Sequence, residues 1–298
     1  MTQIPLGPAA VAQDPDGDKR RDDDTRQIAP DLAYRKLSIA NVAFYGAPGD
    51  GDGGWVLVDA GIPRSTSSIL EAAGKRFGPG ARPAAIVMTH GHFDHIGALE
   101  DLAQRWQVPV YAHRLELPYL NGSASYPPPD PTVGGGLMAW ASPLYPTSPV
   151  DVSQWLRPLP EDGSVPEMPG WRWVATPGHT PGHIAIWREA DRALIAGDAF
   201  ITTRQESAYA VLTQAAELHG PPMYFTPDWD TARRSVETLA ALQPELVVTG
   251  HGPALRGEEM RRALDLLARD FDRIAVPSSG RYRLNPARPE DGMAYREP

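Results

Sequence analysis

Thr89-His90-Gly91-His92-Phe93-Asp94-His95-Ile96-Gly97 places four metal-capable side chains, His90, His92, Asp94 and His95, within six residues. Residues 85–88 before it form a short apolar run that reads as a strand, and residues 98–106 after it read as a helix. The cluster therefore sits where a strand ends and the chain changes direction. His90 and His92 are two apart, so on an extended backbone they face one ion together. Asp94 and His95, at the turn into the helix, can aim at a second. No packing rule calls for such a grouping, and it takes three of the chain's 8 histidines.

Three more strand-like runs end in the same manner. Residues 171–175 lead into Thr176-Pro177-Gly178-His179-Thr180-Pro181-Gly182-His183. Residues 193–195 lead into Ala196-Gly197-Asp198, and 246–248 into Thr249-Gly250-His251-Gly252-Pro253. A strand that repeatedly ends in glycine beside His or Asp implies backbones in close approach around those side chains.

The remaining signals fit the same plan. Residues 37–45 and 55–59 read as strands joined across the turn cluster 47–54 (APGDGDGG). Residues 67–77 have helical spacing and stop at Gly78. Strands follow at 108–112 and 184–187. Thr226-Pro227-Asp228 opens a helix to about residue 242, with the N-cap before Pro227, and 258–274 reads as one long helix. Strands, helices, strands, helices in that order suit a layered α/β sandwich.

HxHxDH, the histidine of PGHTPGH, GD and GHG, together with Asp59 in Val58-Asp59-Ala60-Gly61, resemble the metallo-β-lactamase superfamily over roughly residues 37–256. The resemblance implies a four-layer αββα sandwich with the site at one edge. It implies that His90, His92 and His179 hold a first metal, that Asp94, His95 and His251 hold a second, and that Asp198 bridges them. Asp59 would steady the site from behind, and His183 would be a structural hydrogen bonder in its turn. Imidazoles and carboxylates suit zinc, manganese or iron(II), with zinc the default. A hydroxide bridging two such ions would be the nucleophile, and Asp94 would orient it and carry a proton.

Composition narrows the partners. The 298 residues carry a formal net charge of −9, with no basic run, which disfavours nucleic acid. No segment reaches the ~20 apolar residues of a membrane span, and residues 1–26 lack the apolar stretch of a secretory signal, so the expected location is cytoplasmic. There are no cysteines, which excludes thiol nucleophiles, Fe–S clusters and Cys-based zinc sites. The expected partner is a small-molecule substrate; a homo-oligomer is left open.

Branches of the family narrow the chemistry further. About 45 residues follow His251, too few for the flavodoxin domain of the di-iron branch. Homoserine lactonases resemble this chain in size, but they carry a tyrosine three residues after the bridging aspartate, where Ile201 stands here. Tyr209 or Tyr224 could replace it. The stretch from Gln205 to Phe225, which resembles an uncharacterised bacterial branch of the family, is expected to line the pocket with His219 as a polar contact. The reading is a hydrolase of an ester, lactone or thioester; a β-lactam hydrolase or an iron-dependent redox enzyme is the alternative.

Three regions frame this catalytic domain, set at 31–276. Residues 1–30 read as a flexible leader or an arm packed late on the body. Residues 118–170 are a Pro/Gly-rich insertion that keeps Leu137, Met138, Trp140, Leu144, Tyr145 and Trp155. It is either a surface loop stapled by aromatics or a lid or wall of the pocket. Residues 277–298 form a Pro/Gly/Arg-rich tail.

Overall fold

A computed structural model describes residues 4–12, 23–134, 140–203 and 216–298. Two sheets carry its centre, and period-2 alternation explains how they stack. The first has, among the described residues, seven strands in chain order. These are β2 (Arg26–Ala29), β3 (Leu32–Leu37), β4 (Ala40–Tyr45), β5 (Val56–Val58), β6 (Ala85–Val87), β7 (Val110–Ala112) and β8 (Leu156–Pro158). The second has the order β14-β13-β11-β10-β9, built from β9 (Trp171–Ala175), β10 (Ile184–Arg188), β11 (Ala193–Ile195), β13 (Leu246–Val248) and β14 (Leu255–Arg256).

Alternate residues of each strand enter different cores. Val56, Val58 and Val87 meet Ile184, Ile186, Ile195 and Val248 between the sheets. Leu57, Ile86 and Val110 point the other way, onto α1 (Thr66–Phe77) and α3 (Leu99–Trp106), where Ile69, Phe77, Leu102 and Trp106 are buried. Ala185, Trp187 and Val247 point outward from the second sheet onto α5 (Trp229–Ala241) and α6 (Gly257–Arg269). The result is helix, sheet, sheet, helix, the αββα sandwich expected. Short helices α2 (Phe93–Ile96), α4 (Leu117–Leu120), α7 (Phe271–Ile274) and α8 (Arg281–Leu284) complete the described set.

Several boundaries differ from the sequence expectation, each for a local reason. The run 37–45 is two strands: β3 and β4 pair as a hairpin with Leu37 opposite Ala40, and Ser38 takes the left-handed turn at φ 61°. The helix expected over 258–274 breaks at Asp270 into α6 and α7; aspartate favours helix ends over interiors. The cap of α5 is Asp228, which accepts from Thr231 N, so Pro227 lies before the helix and not in its first turn.

The flexible leader is not free where it is described. Strand β1 (Ile4–Pro5) pairs antiparallel with β12 (Glu217–Leu218), Gly7 N donates to Glu259 on α6, and Ala12 N donates to Ala254 O. Residues 26–29 are the edge strand β2. Burial of Ala10, Ala12, Ile28 and Ala29 supplies the apolar surface that holds these pieces down. The 118–170 stretch also rejoins the body, because β8 adds a parallel strand to β7 and Val152 is buried in the first sheet's helix-side core. Leu137 and Met138 lie outside the described residues.

Tail and insertion hold each other. Tyr119 stacks on Tyr295, and its hydroxyl donates to Ala294 O at 2.8 Å. Ser125 and Arg296 exchange backbone hydrogen bonds, and Arg281 N donates to Asp130.

Candidate metal centre

Strand direction gathers the site. Strands β5 and β6 are parallel, as are β11 and β13, and β9 is two antiparallel steps from β11. Within each sheet the parallel pairs end side by side: Val58 pairs with Val87, and Ile195 with Val248, while β9 runs in the direction of β11 and ends two residues further along. Three residues beyond Val87, Ile195 and Val248 come His90, Asp198 and His251. Ile184 N donates to Thr89 O across the sheets, which draws the two edges together.

The seven side chains implied as metal ligands meet there, all buried. Their donor atoms fall into three overlapping groups within 4.8 Å: His90, His92 and His179; His90, His95 and Asp198; Asp94, His95 and His251. His92 Nδ1 lies 2.9 Å from His179 Nε2. Asp198 faces both sides, with Oδ2 at 3.0 Å from His251 Nε2 and 3.5 Å from His179 Nε2, and Oδ1 at 3.6 Å from His95 Nε2. Asp94 Oδ2 is 3.4 Å from His251 Nε2. Gly250 is what lets this close: a Cβ there would stand 2.0 Å from Asp198 Oδ1.

Outer hydrogen bonds fix which nitrogen faces inward. His251 Nδ1 donates to Ile39 O, and His95 Nδ1 to Asp59 Oδ2. Thr226 Oγ1 donates to Pro222 O, so its lone pair receives His179 Nδ1–H. Thr89 Oγ1 donates to Asp59 Oδ2, so its lone pair receives His90 Nδ1–H. In all four rings Nε2 is left as the inward atom, the arrangement typical of metal-binding histidines. His92 alone turns Nδ1 inward.

The donor set fits divalent cations on one further observation. His90 Nε2, His95 Nε2 and Asp198 Oδ1 are fully buried without a hydrogen-bond partner. Buried polar atoms are rarely left so, and these three belong to one group within 4.8 Å. Burial pushes His90, His92 and His179 below the usual imidazole range, His92 to about 3, which leaves them neutral donors. Burial acts likewise on His95 and His251, but the Asp198 carboxylate, with Asp59 beside His95 and Asp94 beside His251, raises both. Ligation by those two requires a proton to leave.

His183 is not a donor to this cluster. Its Nε2 accepts from Asp198 N at 2.9 Å and its Nδ1 bonds Thr176 Oγ1 at 2.7 Å, so it locks the loop that presents Asp198. Asp59 spends Oδ1 on Thr89 N and Oδ2 on Thr89 Oγ1 and His95.

The residues expected to line the pocket are placed as follows. Ile201 is buried and exchanges backbone hydrogen bonds with His219. His219 Nε2 bonds Glu217 Oε2 of β12 at 3.1 Å, a half-buried pair. Tyr224 is buried against Phe225, their ring centres 5.0 Å apart. Tyr209 lies outside the described residues. Among the described residues, aromatic groups at the site include Phe225 and Tyr126, with ring centres 4.7 and 4.5 Å from His92, and Tyr145, stacked on Phe93 at 5.1 Å. Tyr126 and Tyr145 come from the 118–170 segment, which is therefore a wall of the site at these points.

Other residues escaped the sequence reading. Asn41 Nδ2 donates to Thr249 O and Gly252 O, which shapes the loop of His251. Thr89, Thr226 and Glu116 hold ligand loops in similar ways. The only sequence signal available was position: Thr89 and Thr226 each adjoin a motif or helix start.

A family model described as the metallo-beta-lactamase superfamily matches residues 36–251. The chain is 50% identical over 238 residues, 80% of its length and 90% of the relative's, to a Bacillus subtilis (strain 168) protein named Probable metallo-hydrolase YflN. It is 34% identical over 143 residues to a hydroxyacylglutathione hydrolase of Alkalilimnicola ehrlichii, a match covering 48% of this chain and 41% of that one. Among solved structures, a beta-lactamase domain protein from Burkholderia ambifaria superposes with a TM-score of 0.58 at 24% identity, covering 88% of this chain and 79% of the other.

Proposed function

The chain belongs to the metallo-beta-lactamase superfamily, and on that premise we propose that it hydrolyses an ester, lactone or thioester of a small molecule with two divalent ions, zinc by default. The observation that carries the two-ion reading is Asp198. One carboxylate directs Oδ2 toward His251 and His179 and leaves Oδ1 unpartnered beside His95. A single structural ion needs no such shared carboxylate.

His90, His92 and His179 would hold one ion, and Asp94, His95 and His251 the other, with Asp198 between. Such a pair supplies an attacking water whose pKa falls from ~15.7 toward 7 and polarises the carbonyl under attack. The chain's own groups do the rest. Without an ion, burial holds the Asp94 carboxyl above the usual range against the lowering charges of His95 and His251; beside the ion it would orient the attacking water and pass a proton to the leaving group. Phe93, Tyr145 and Phe225 form an apolar wall that excludes water from one side.

The thioester member of the substrate class draws support from the hydroxyacylglutathione hydrolase similarity. The net charge of −9 supports a small molecule over nucleic acid as substrate. Among the described residues no helix is long and apolar enough to cross a membrane.

A panel of aryl esters, lactones, thioesters, β-lactams and phosphodiesters, assayed with zinc, manganese and iron(II) enzyme, tests the reading. Turnover of an acyl substrate that is lost in Asp94→Asn is expected. Turnover of phosphodiesters alone would overturn it.

A further inference from the structure

Glu116 lies just before α4, on no metal-binding motif, yet it is completely buried at 0% exposure. Buried carboxylates are costly unless their lone pairs are satisfied. Here they are. Oε2 accepts from Gly91 N at 2.9 Å and from the Tyr126 hydroxyl. Oε1 accepts from Thr180 Oγ1 at 2.8 Å and from Gly182 N at 2.8 Å.

The division between the two oxygens is informative. Gly91 stands between His90 and His92, and Thr180 follows His179. One oxygen thus holds the loop of two histidines of the first triad, and the other holds the loop of the third. The loops come from different sheets, and Gly182 is 66 residues from Glu116 in sequence. Neither loop has slack. A Cβ on Gly182 would meet Glu116 N at 2.8 Å and Cγ at 2.9 Å, and one on Gly91 would meet the Tyr126 oxygen at 2.8 Å. Tyr126 adds a second tie, because its hydroxyl also accepts from Gly91 N while its ring faces His92.

We propose that Glu116 is a positioning residue for the first metal position, a two-sided clamp that sets the spacing of His90 and His92 against His179. Its hydrogen bonds go to Gly91, Tyr126, Thr180 and Gly182, and among the described residues none goes to the Asp94, His95 and His251 group, so its effect falls on one ion and spares the other. The proposal rests on the two-ion reading above.

Metal-free wild type, Glu116→Gln, Glu116→Ala and Thr180→Val are titrated with Zn²⁺ by calorimetry, with thermal melts alongside. His179→Ala and His251→Ala identify which binding step belongs to which triad. Wild type is expected to bind in two steps. Glu116→Ala is expected to weaken the step abolished by His179→Ala by roughly 10- to 100-fold, the range for outer partners of metal ligands, and to leave the His251 step unchanged. Glu116→Gln keeps one acceptor oxygen and falls between. Thr180→Val removes a single donor and shifts the same step in the same direction; it serves, with Tyr126→Phe, if the Glu116 variants do not fold. Wild-type affinities at both steps in the folded variants would overturn the proposal, as would an equal loss at both steps that tracks the melting temperature. A wild type that binds no zinc would instead sink the metal reading itself, and this clamp with it.

Discussion

Asp59 shows how much of the site depends on side chains that touch no substrate. It occupies the left-handed region at φ 62°, costly for a residue with a Cβ, at the end of β5. From there it accepts from Thr89 N, Thr89 Oγ1 and His95 Nδ1, and Thr89 passes the orientation on to His90. Asp59→Asn replaces one acceptor oxygen with an amide nitrogen that can only donate. Zinc affinity is expected to fall roughly 10- to 100-fold with the fold retained; equilibrium dialysis of the two proteins checks this, and equal affinities would refute it. At this scale the ligands were legible in sequence, because histidines and aspartates bunched after apolar strands have no packing use. Their holders were not. Thr89, Asn41, Thr226 and Glu116 are residue types found on any surface, and only tertiary contacts give them a role.

Among the elements, α5 links stability to the site. Its cap, Asp228, accepts from Thr231 N and Oγ1 and pairs with Arg288, while its own N–H donates to Gly178 O beside His179. Asp228→Ala is expected to cost about 1–2 kcal/mol, the usual loss of an N-cap, read from denaturant melts at pH 7. Burial would raise this carboxyl, but the hydrogen bonds from Arg288 and Thr231 win and lower it. A depressed folded pKa contributes stability that is present above the unfolded aspartate value of about 3.9 and is lost as pH falls through the folded value. The gap between wild type and variant should therefore narrow in acid; a gap that widens would contradict the assignment. Strand existence was legible from alternation and helix α1 from its glycine stop. The β3–β4 hairpin was not, since Ser38-Ile39 lacks the Asn-Gly or Asp-Gly signature. Asp228 was hidden behind Thr226-Pro227, which imitate a cap and first turn.

For the whole molecule, the three main cores are built from apolar side chains between the layers and contain none of the proposed ligands. The order of motifs made the sandwich readable, whereas the leader, insertion and tail were opaque because their burial comes from partners more than a hundred residues away, such as Ala12 on Ala254 and Tyr119 on Ala294. Since the cores do not use the ions, chelation is expected to abolish turnover and leave the circular dichroism spectrum in place, lowering Tm only through lost binding energy. Collapse of the spectrum on chelation would show instead that the ions hold the fold. The central claim is that side chains from four strand ends, those of β6, β9, β11 and β13, share a pair of cations through Asp198. Its most direct test is the zinc stoichiometry of dialysed protein by elemental analysis, wild type beside Asp198→Ala. Two ions per wild-type chain and fewer than two in the variant are expected; a wild type without zinc, or a variant that still holds two, would contradict the account.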